Sequence, residues 1–275
     1  MTRFFLCAGL LLLSPAYLFG QTYPPDKVAR GQYIFHVEGG CGCHNPQGEP
    51  ANVGGNKREN PYVLVFSPNL TPDPETGIGS WSDKQVIDAF RLGKRPDGQQ
   101  LSMGHPYYYF SGMADEDAEA LVAYLRSMPP VKRSYPPRQV KKPVPVYDLS
   151  TLPPAKAPTS GIERSKYLVQ HVGKCNYCHG SPYESPPDMS KYLAGRKDPT
   201  RLNPNITPDP ETGIGGWSED DIIKFLRTGV RPDGGKAGSI MANLIRDGFK
   251  NMTQDDVTLI AQYLKSVPAV KNTPE

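Results

Sequence analysis

Residues 68–98 read PNLTPDPETGIGSWSDKQVIDAFRLGKRPDG, and residues 204–234 read PNITPDPETGIGGWSEDDIIKFLRTGVRPDG. The second stretch repeats the first at a shift of 136 residues (204 against 68), with no gap along its length. Likeness sustained over such a span marks an internal duplication. It continues outward on both sides: Arg30-Gly-Gln-Tyr33 matches Arg164-Ser-Lys-Tyr167, and Tyr124-Leu-Arg-Ser-Met-Pro129 matches Tyr263-Leu-Lys-Ser-Val-Pro268. Two copies of one unit therefore run over 27–131 and 162–275. The segment between them, 132–161, is dense in Pro and Lys with little apolar periodicity, and reads as an extended, semi-rigid linker.

Each unit carries helix punctuation. Ser82 with Gln85, and Ser218 with Asp221, set a capping pair ahead of Val86, Ile87 and Phe90, and of Ile222, Ile223 and Leu226. These helices should stop at Gly93 and Gly229. A later helix carries Leu121, Tyr124, Leu125 and Met128 in the first unit, and Val257, Ile260, Ala261 and Leu264 in the second. Both should end at a proline. A shorter helix is expected to carry Tyr33 or Tyr167. No strand pattern stands out, so the expected fold is all-α, with two tandem domains joined by the Pro/Lys-rich linker.

Composition agrees with that reading. Of 275 residues, 37% are hydrophobic, with 30 Pro and 27 Gly, which suits compact helical units and long ordered loops better than one large sheet. A formal charge of +3 gives no footprint for nucleic acid. The chain starts Met1-Thr-Arg3, followed by an apolar run from Phe4 to Leu13 and by Ser14-Pro-Ala-Tyr-Leu-Phe-Gly20. This describes a secretory signal peptide over 1–20, cleaved after Gly20, or alternatively after Ala16. An uncleaved anchor is the other reading. Export predicts a periplasmic protein.

Removing Cys7 with the leader leaves Cys41, Cys43, Cys175 and Cys178. An even count in an oxidising compartment ordinarily suggests disulfides. Here the neighbours point elsewhere. Cys175-Asn-Tyr-Cys178-His179 has the spacing of a covalent haem attachment: two thiols add across the two vinyl groups, and the adjacent imidazole reaches the iron. A redox dithiol or half a zinc site would require no such adjacent His. The second axial ligand is expected from Met241, in the Gly-rich loop beyond Arg231-Pro-Asp-Gly234. Met252 is its rival, although its place at the start of the last helix suits packing better.

The first unit departs from this spacing. It reads Gly40-Cys41-Gly42-Cys43-His44, with one residue between the cysteines. Tyr33 to Cys41 and Tyr167 to Cys175 are equally far apart, so the missing residue falls inside the pair. Either the haem site has been lost, leaving two orphan thiols, or a haem is held with His44 as proximal ligand and Cys43 as the surer thioether. The second reading is adopted. The gapless shift of 136 residues places His105 where Met241 stands (241 against 105), which makes His105 the expected sixth ligand of the first haem. Met103, or a solvated His105, are the alternatives.

These residues resemble the class I cytochrome c family. The likeness is greatest to the cytochrome subunits of periplasmic alcohol, aldehyde and sugar-acid dehydrogenases and to related diheme cytochromes c. It is carried by the 175–179 motif, by Asn69 to Ser82 and Asn205 to Ser218, and by Met113-Ala-Asp-Glu-Asp117 and Met252-Thr-Gln-Asp-Asp256. The resemblance implies two covalently attached haem c groups, with Trp81 and Trp217 packed beside them and Arg91 and Arg227 reaching the propionates. It expects a Met followed by Pro where His105-Pro106 stands. It also implies a dehydrogenase as electron donor and a cytochrome or oxidase of a respiratory chain as acceptor, with membrane association only through a partner or an uncleaved N-terminus. The leading function is electron transfer without chemistry on a substrate. The alternative is a diheme redox enzyme, peroxidase or thiosulfate dehydrogenase in kind, working at the first haem. A structural docking module using the Lys-rich linker is a third reading.

Overall fold

A computed structural model describes residues 22–274 apart from 47, 150–152, 183–185 and 199–200; the expected leader lies outside the described residues. The first half opens with α1 (Pro25–Val37), begun by a proline whose fixed φ suits a first helical turn. A 3-10 turn, Gly42–His44, carries the first Cys-His pair. Strands β1 (Lys57–Glu59) and β2 (Val63–Phe66) follow as an antiparallel pair. Next come α2 (Asp83–Leu92), the short α3 (Tyr107–Phe110) and α4 (Asp115–Ser127). The predicted Ser82–Gln85 capping box is present, and α2 ends on left-handed Gly93. Helix α4 stops at Ser127, directly before Met128-Pro129.

Helices α1 and α4 cross in close contact. A Cβ on Gly31 would lie 1.8 Å from the Ala120 carbonyl oxygen, so only glycine permits this approach. The segment after α4 stays on the first half. Its strand β3 (Gln139–Val140) adds to β2, the Tyr135 hydroxyl donates to the Gly54 carbonyl, and the Ala157 amide donates to Glu116.

The second half repeats the plan. Helix α5 (Gly161–Tyr167) continues into a π-helical turn, Leu168–Val172, and α6 (Cys175–His179) is the second Cys-His motif itself. Strands β4 (Arg196–Asp198) and β5 (Arg201–Asn203) form a hairpin. Helices α7 (Glu219–Thr228), α8 (Ser239–Asp247) and α9 (Gln254–Ser266) complete it. The Ser218–Asp221 box opens α7, and left-handed Gly229 closes it.

The fold is mostly helical but not all-α: a three-stranded sheet in order β1-β2-β3 and the two-stranded β4-β5 hairpin are added. These strands span four residues at most, and β1 is exposed along its whole length, so they show no alternation for a pattern to reveal.

The halves share one apolar core, in which Ile34, Val37, Leu121 and Val122 of the first join Leu168, Val172, Val257 and Ile260 of the second. The matched Arg and Tyr of the duplicate explain how they lock. Arg30 binds Asp117 and Arg164 binds Asp256, each within its own half. The tyrosines cross over: the Tyr167 hydroxyl donates to Asp117, and the Tyr33 hydroxyl donates to Asp256. Each also accepts a backbone amide from the half it enters, Ala114 N–H for Tyr167 and Thr253 N–H for Tyr33.

Candidate functional site

Both Cys-His turns are held by the same hydrogen bonds. The Gly54 amide donates to the His44 carbonyl at 2.9 Å, and the Gly195 amide donates to the His179 carbonyl at 2.7 Å. His44 Nδ1 lies 2.7 Å from the Pro68 carbonyl oxygen, and His179 Nδ1 lies 2.7 Å from that of Pro204. A carbonyl only accepts, so Nδ1 carries the proton in both rings and each Nε2 presents a lone pair. Burial lowers the pKa of both imidazoles, which keeps them neutral and able to bind a metal.

The four cysteines are free thiols, so the disulfide reading of their even count has no support in the structure. Burial pushes the Cys175 thiol up to about 12 and raises those of Cys41 and Cys178. Cys43 adds to the rise at Cys178, which places the two attachment turns within electrostatic reach of each other. Each hairpin brings arginine to its turn. Arg58 Nη2 lies 3.5 Å from Cys43 Sγ, and Arg196 Nη1 donates to the Tyr177 and Ser181 carbonyls.

His105 stands apart from the other histidines. The Nδ1 of His36, His44, His171 and His179 each meets a backbone carbonyl, whereas His105 Nδ1 is buried without a hydrogen-bond partner. Burial pushes its pKa down to about 3, with His44 and Lys174 adding to the effect. A neutral imidazole with an orphaned buried nitrogen, near a second imidazole that offers Nε2, suits an iron ligand. Together with free thiols beside an apolar core, this donor set fits covalently bound haem. Met103 is buried as well, 4% exposed.

Met241 lies in helix rather than in the expected loop: it is the third residue of α8, partly buried against the common core. Met241, Leu244 and Ile245 share one helical face, and that periodicity overrides the Gly-rich lead-in at 234–238. Met252 packs in the core, as expected. Trp81 and Trp217 are partly buried against the core, Trp217 edge-on to Phe225 with ring centroids 5.5 Å apart.

Arg91 reaches the first turn of α4, and Arg227 the segment just ahead of α9. Arg91 Nη1 donates to Asp115 at 2.7 Å, and Arg227 Nη1 donates to the Lys250 and Met252 carbonyls. These contacts describe braces for α4 and α9. The sequence reading missed the Pro68 and Pro204 carbonyls, although both open the duplicated stretch. It also missed Arg58, which lies outside any repeat match.

The chain's likenesses agree with this donor set. The cytochrome c family model matches residues 28–129. Over 98% of its length the chain is 31% identical to the gluconate 2-dehydrogenase cytochrome c subunit of Pantoea cypripedii, 66% of which it covers. Over 88% of its length it is 31% identical to the fructose dehydrogenase cytochrome subunit of Gluconobacter japonicus, covering 53% of that protein. The chain thus spans between about half and two thirds of these dehydrogenase subunits. It is also 31% identical to the diheme cytochrome c-type of Cereibacter sphaeroides, over 96% of its own length and 94% of that protein's. A donor set of neutral imidazoles and free thiols, combined with relatedness along nearly the whole chain, makes this protein a member of the cytochrome c family, electron-transfer proteins that hold haem c covalently.

Proposed function

We propose that this chain is an exported two-haem cytochrome that takes electrons from a dehydrogenase and passes them to a cytochrome or oxidase acceptor. The observation that carries the reading is the pair of 2.7 Å contacts from His44 and His179 to the Pro68 and Pro204 carbonyls. The same tautomer is fixed twice, so each half offers one Nε2 to iron. Haem iron, when bound, supplies a one-electron couple, and its axial ligands and burial set the potential. The chain's own work is to anchor, ligate and shield. Cys175 and Cys178 anchor in the second half, Cys43 with Cys41 in the first, while His105 and Met241 complete the ligand sets. With His105 and Met241 both bound, neither haem would keep a position for substrate, which favours electron transfer over peroxidase-like chemistry.

The mass of the protein purified from the periplasmic fraction tests the reading. Two added haems and a start near Gln21 are expected, with uptake of two electrons per chain in a reductive titration. One added haem would restore the orphan-thiol reading of Cys41 and Cys43. Rapid peroxide or thiosulfate turnover would replace electron transfer with the enzymatic alternative.

A further inference from the structure

Lys174 stands directly before Cys175, with its backbone in the left-handed region at φ 44°. That conformation is uncommon for a residue with a long side chain. The side chain leaves its own half: Nζ donates to the Glu38 carbonyl at 2.6 Å and to Glu38 Oε2 at 3.0 Å. The ammonium also lies 4.8 Å from the centroid of the Phe110 ring. The other Glu38 oxygen accepts the backbone amide of Cys41. The side chains are 15% and 4% exposed, so the pair is buried between the two attachment turns.

Burial works against the charge on Lys174, but the Glu38 carboxylate outweighs it, and the pKa of the ammonium is raised. The same charge bears on His105. Neither residue is repeated in the other half. At the spacing of Tyr33 and Tyr167, Lys174 corresponds to Gly40 and Glu38 to Val172. The pair exists only where the halves meet.

We propose that Lys174 and Glu38 bear with opposite sign on the haem potentials, most on the first haem, and that their pairing holds the two effects in balance. This inference rests on the two-haem reading above. Ferric haem carries one more positive charge than ferrous haem. A nearby buried cation therefore favours the ferrous form and a buried anion the ferric form, with little solvent to screen either. Removing one partner leaves the other uncompensated, so the two single removals must shift the potential in opposite directions.

The test is spectroelectrochemical titration of Glu38→Gln, Lys174→Met, Lys174→Arg and the Glu38→Gln/Lys174→Met double variant, each with its haem content measured by mass. Glu38→Gln should raise the midpoint of the first haem and Lys174→Met should lower it. Each changes the ferrous-to-ferric ratio at fixed potential about tenfold, about 59 mV for a one-electron couple, with a smaller shift at the second haem. Lys174→Arg and the double variant should lie near the parent protein. Shifts of the same sign, no shift in doubly loaded protein, or equal shifts at both haems would overturn the proposal. A purely structural role predicts no such reversal of sign. If Lys174→Met does not accumulate with two haems, Glu38→Gln decides alone: a raised first midpoint supports the pair's role, and an unchanged one refutes it. A parent protein carrying a single haem refutes the two-haem reading instead.

Discussion

Replacing Tyr167 by Phe removes one oxygen from the seam between the halves. That hydroxyl donates to Asp117 Oδ2 at 2.6 Å and accepts the Ala114 amide at 3.1 Å. Tyr167 is 4% exposed, and Ala114 and Asp117 are fully buried. A hydrogen bond to a charged acceptor contributes about 1.5–3 kcal/mol, and a buried amide left unpaired costs about 1–3 kcal/mol. Asp117 keeps Arg30, which limits the loss, so Tyr167→Phe should cost about 3–4 kcal/mol. Tyr33→Phe is the internal control. Its Asp256 partner keeps two bonds from Arg164, and the Thr253 amide it accepts sits on an exposed residue, so about 1 kcal/mol is expected. The assay is guanidinium unfolding of the full haem-loaded chain, followed by helical circular dichroism and by tryptophan fluorescence. Tyr167→Phe should also spread the transition as the halves begin to unfold apart. A Tyr167→Phe cost within about 0.5 kcal/mol of zero, the range of an ordinary surface change, or a larger cost for Tyr33→Phe, would refute the crossed-tyrosine account of the seam.

The same tyrosines predict a pH dependence. Burial, followed by the Asp256 hydrogen bond, pushes the Tyr33 phenol up to about 12, and burial with the Asp117 carboxylate raises that of Tyr167 further. An unfolded tyrosine ionises near pH ~10, so the unfolded chain releases protons first. Stability conferred by these groups is complete below that pH and is lost as pH climbs toward the folded values; unfolding from pH 8 to 12 should show a flatter decline in the two Phe variants. At the first attachment turn, Cys41 caps with φ 49°, as Lys174 caps the second at φ 44°, so its backbone stands where an attaching cysteine does not. Cys43→Ala should therefore lose the first haem while Cys41→Ala largely keeps it, read from the mass of the purified chain; the reverse result would reject the assignment. His105→Ala should remove one low-spin, two-imidazole charge-transfer band from the near-infrared magnetic circular dichroism of the oxidised protein, and an unchanged spectrum would hand the ligand role to Met103. Gly31→Ala should cost about 2–3 kcal/mol in thermal unfolding, because its Cβ would meet the Ala120 carbonyl oxygen at 1.8 Å and force α1 and α4 apart.

What the sequence made legible follows from the range of each interaction. Capping boxes at Ser82 and Ser218 and glycine stops at Gly93 and Gly229 depend on neighbours within four residues, and all four stand as read. The Cys-His motifs are readable for the same reason, since their spacing is written in adjacent positions. Met241 was placed in a loop because Gly234, Gly235 and Gly238 precede it, but the apolar face it shares with Leu244 and Ile245 makes a helix once a surface exists to receive it. Part of that surface, where Leu244 meets Gly39, belongs to the other half. Likewise Arg30 and Tyr33 announced themselves as matched to Arg164 and Tyr167, but nothing local says that each arginine stays at home while each tyrosine crosses. The carbonyls of Pro68 and Pro204 were beyond reach for a different reason: a backbone acceptor has no residue type to betray it.

The asymmetry between the two attachment turns has a structural counterpart across the seam. In the second half, Tyr177 stands inside the motif and its hydroxyl donates to the Gly104 carbonyl, beside His105, at 2.7 Å. Its ring also meets Tyr109 of α3, an element only four residues long. In the first half the motif is one residue shorter and holds Gly42 with no comparable side chain, and the element opposite is α8, nine residues long. A Cβ at Gly39 would lie 2.6 Å from Leu244 Cδ2, and one at Gly42 would lie 3.5 Å from it. The Gly39-Gly40 bend, at φ 92° and 73°, takes a course that side chains would strain and lets α8 rest on the turn. A short motif opposite α3 would leave the His105 loop without the Tyr177 hydrogen bond. The segment carrying each expected sixth ligand rests on the attachment turn of the other half: Gly104, beside His105, accepts from Tyr177, and Leu244, one turn after Met241, lies against Gly39.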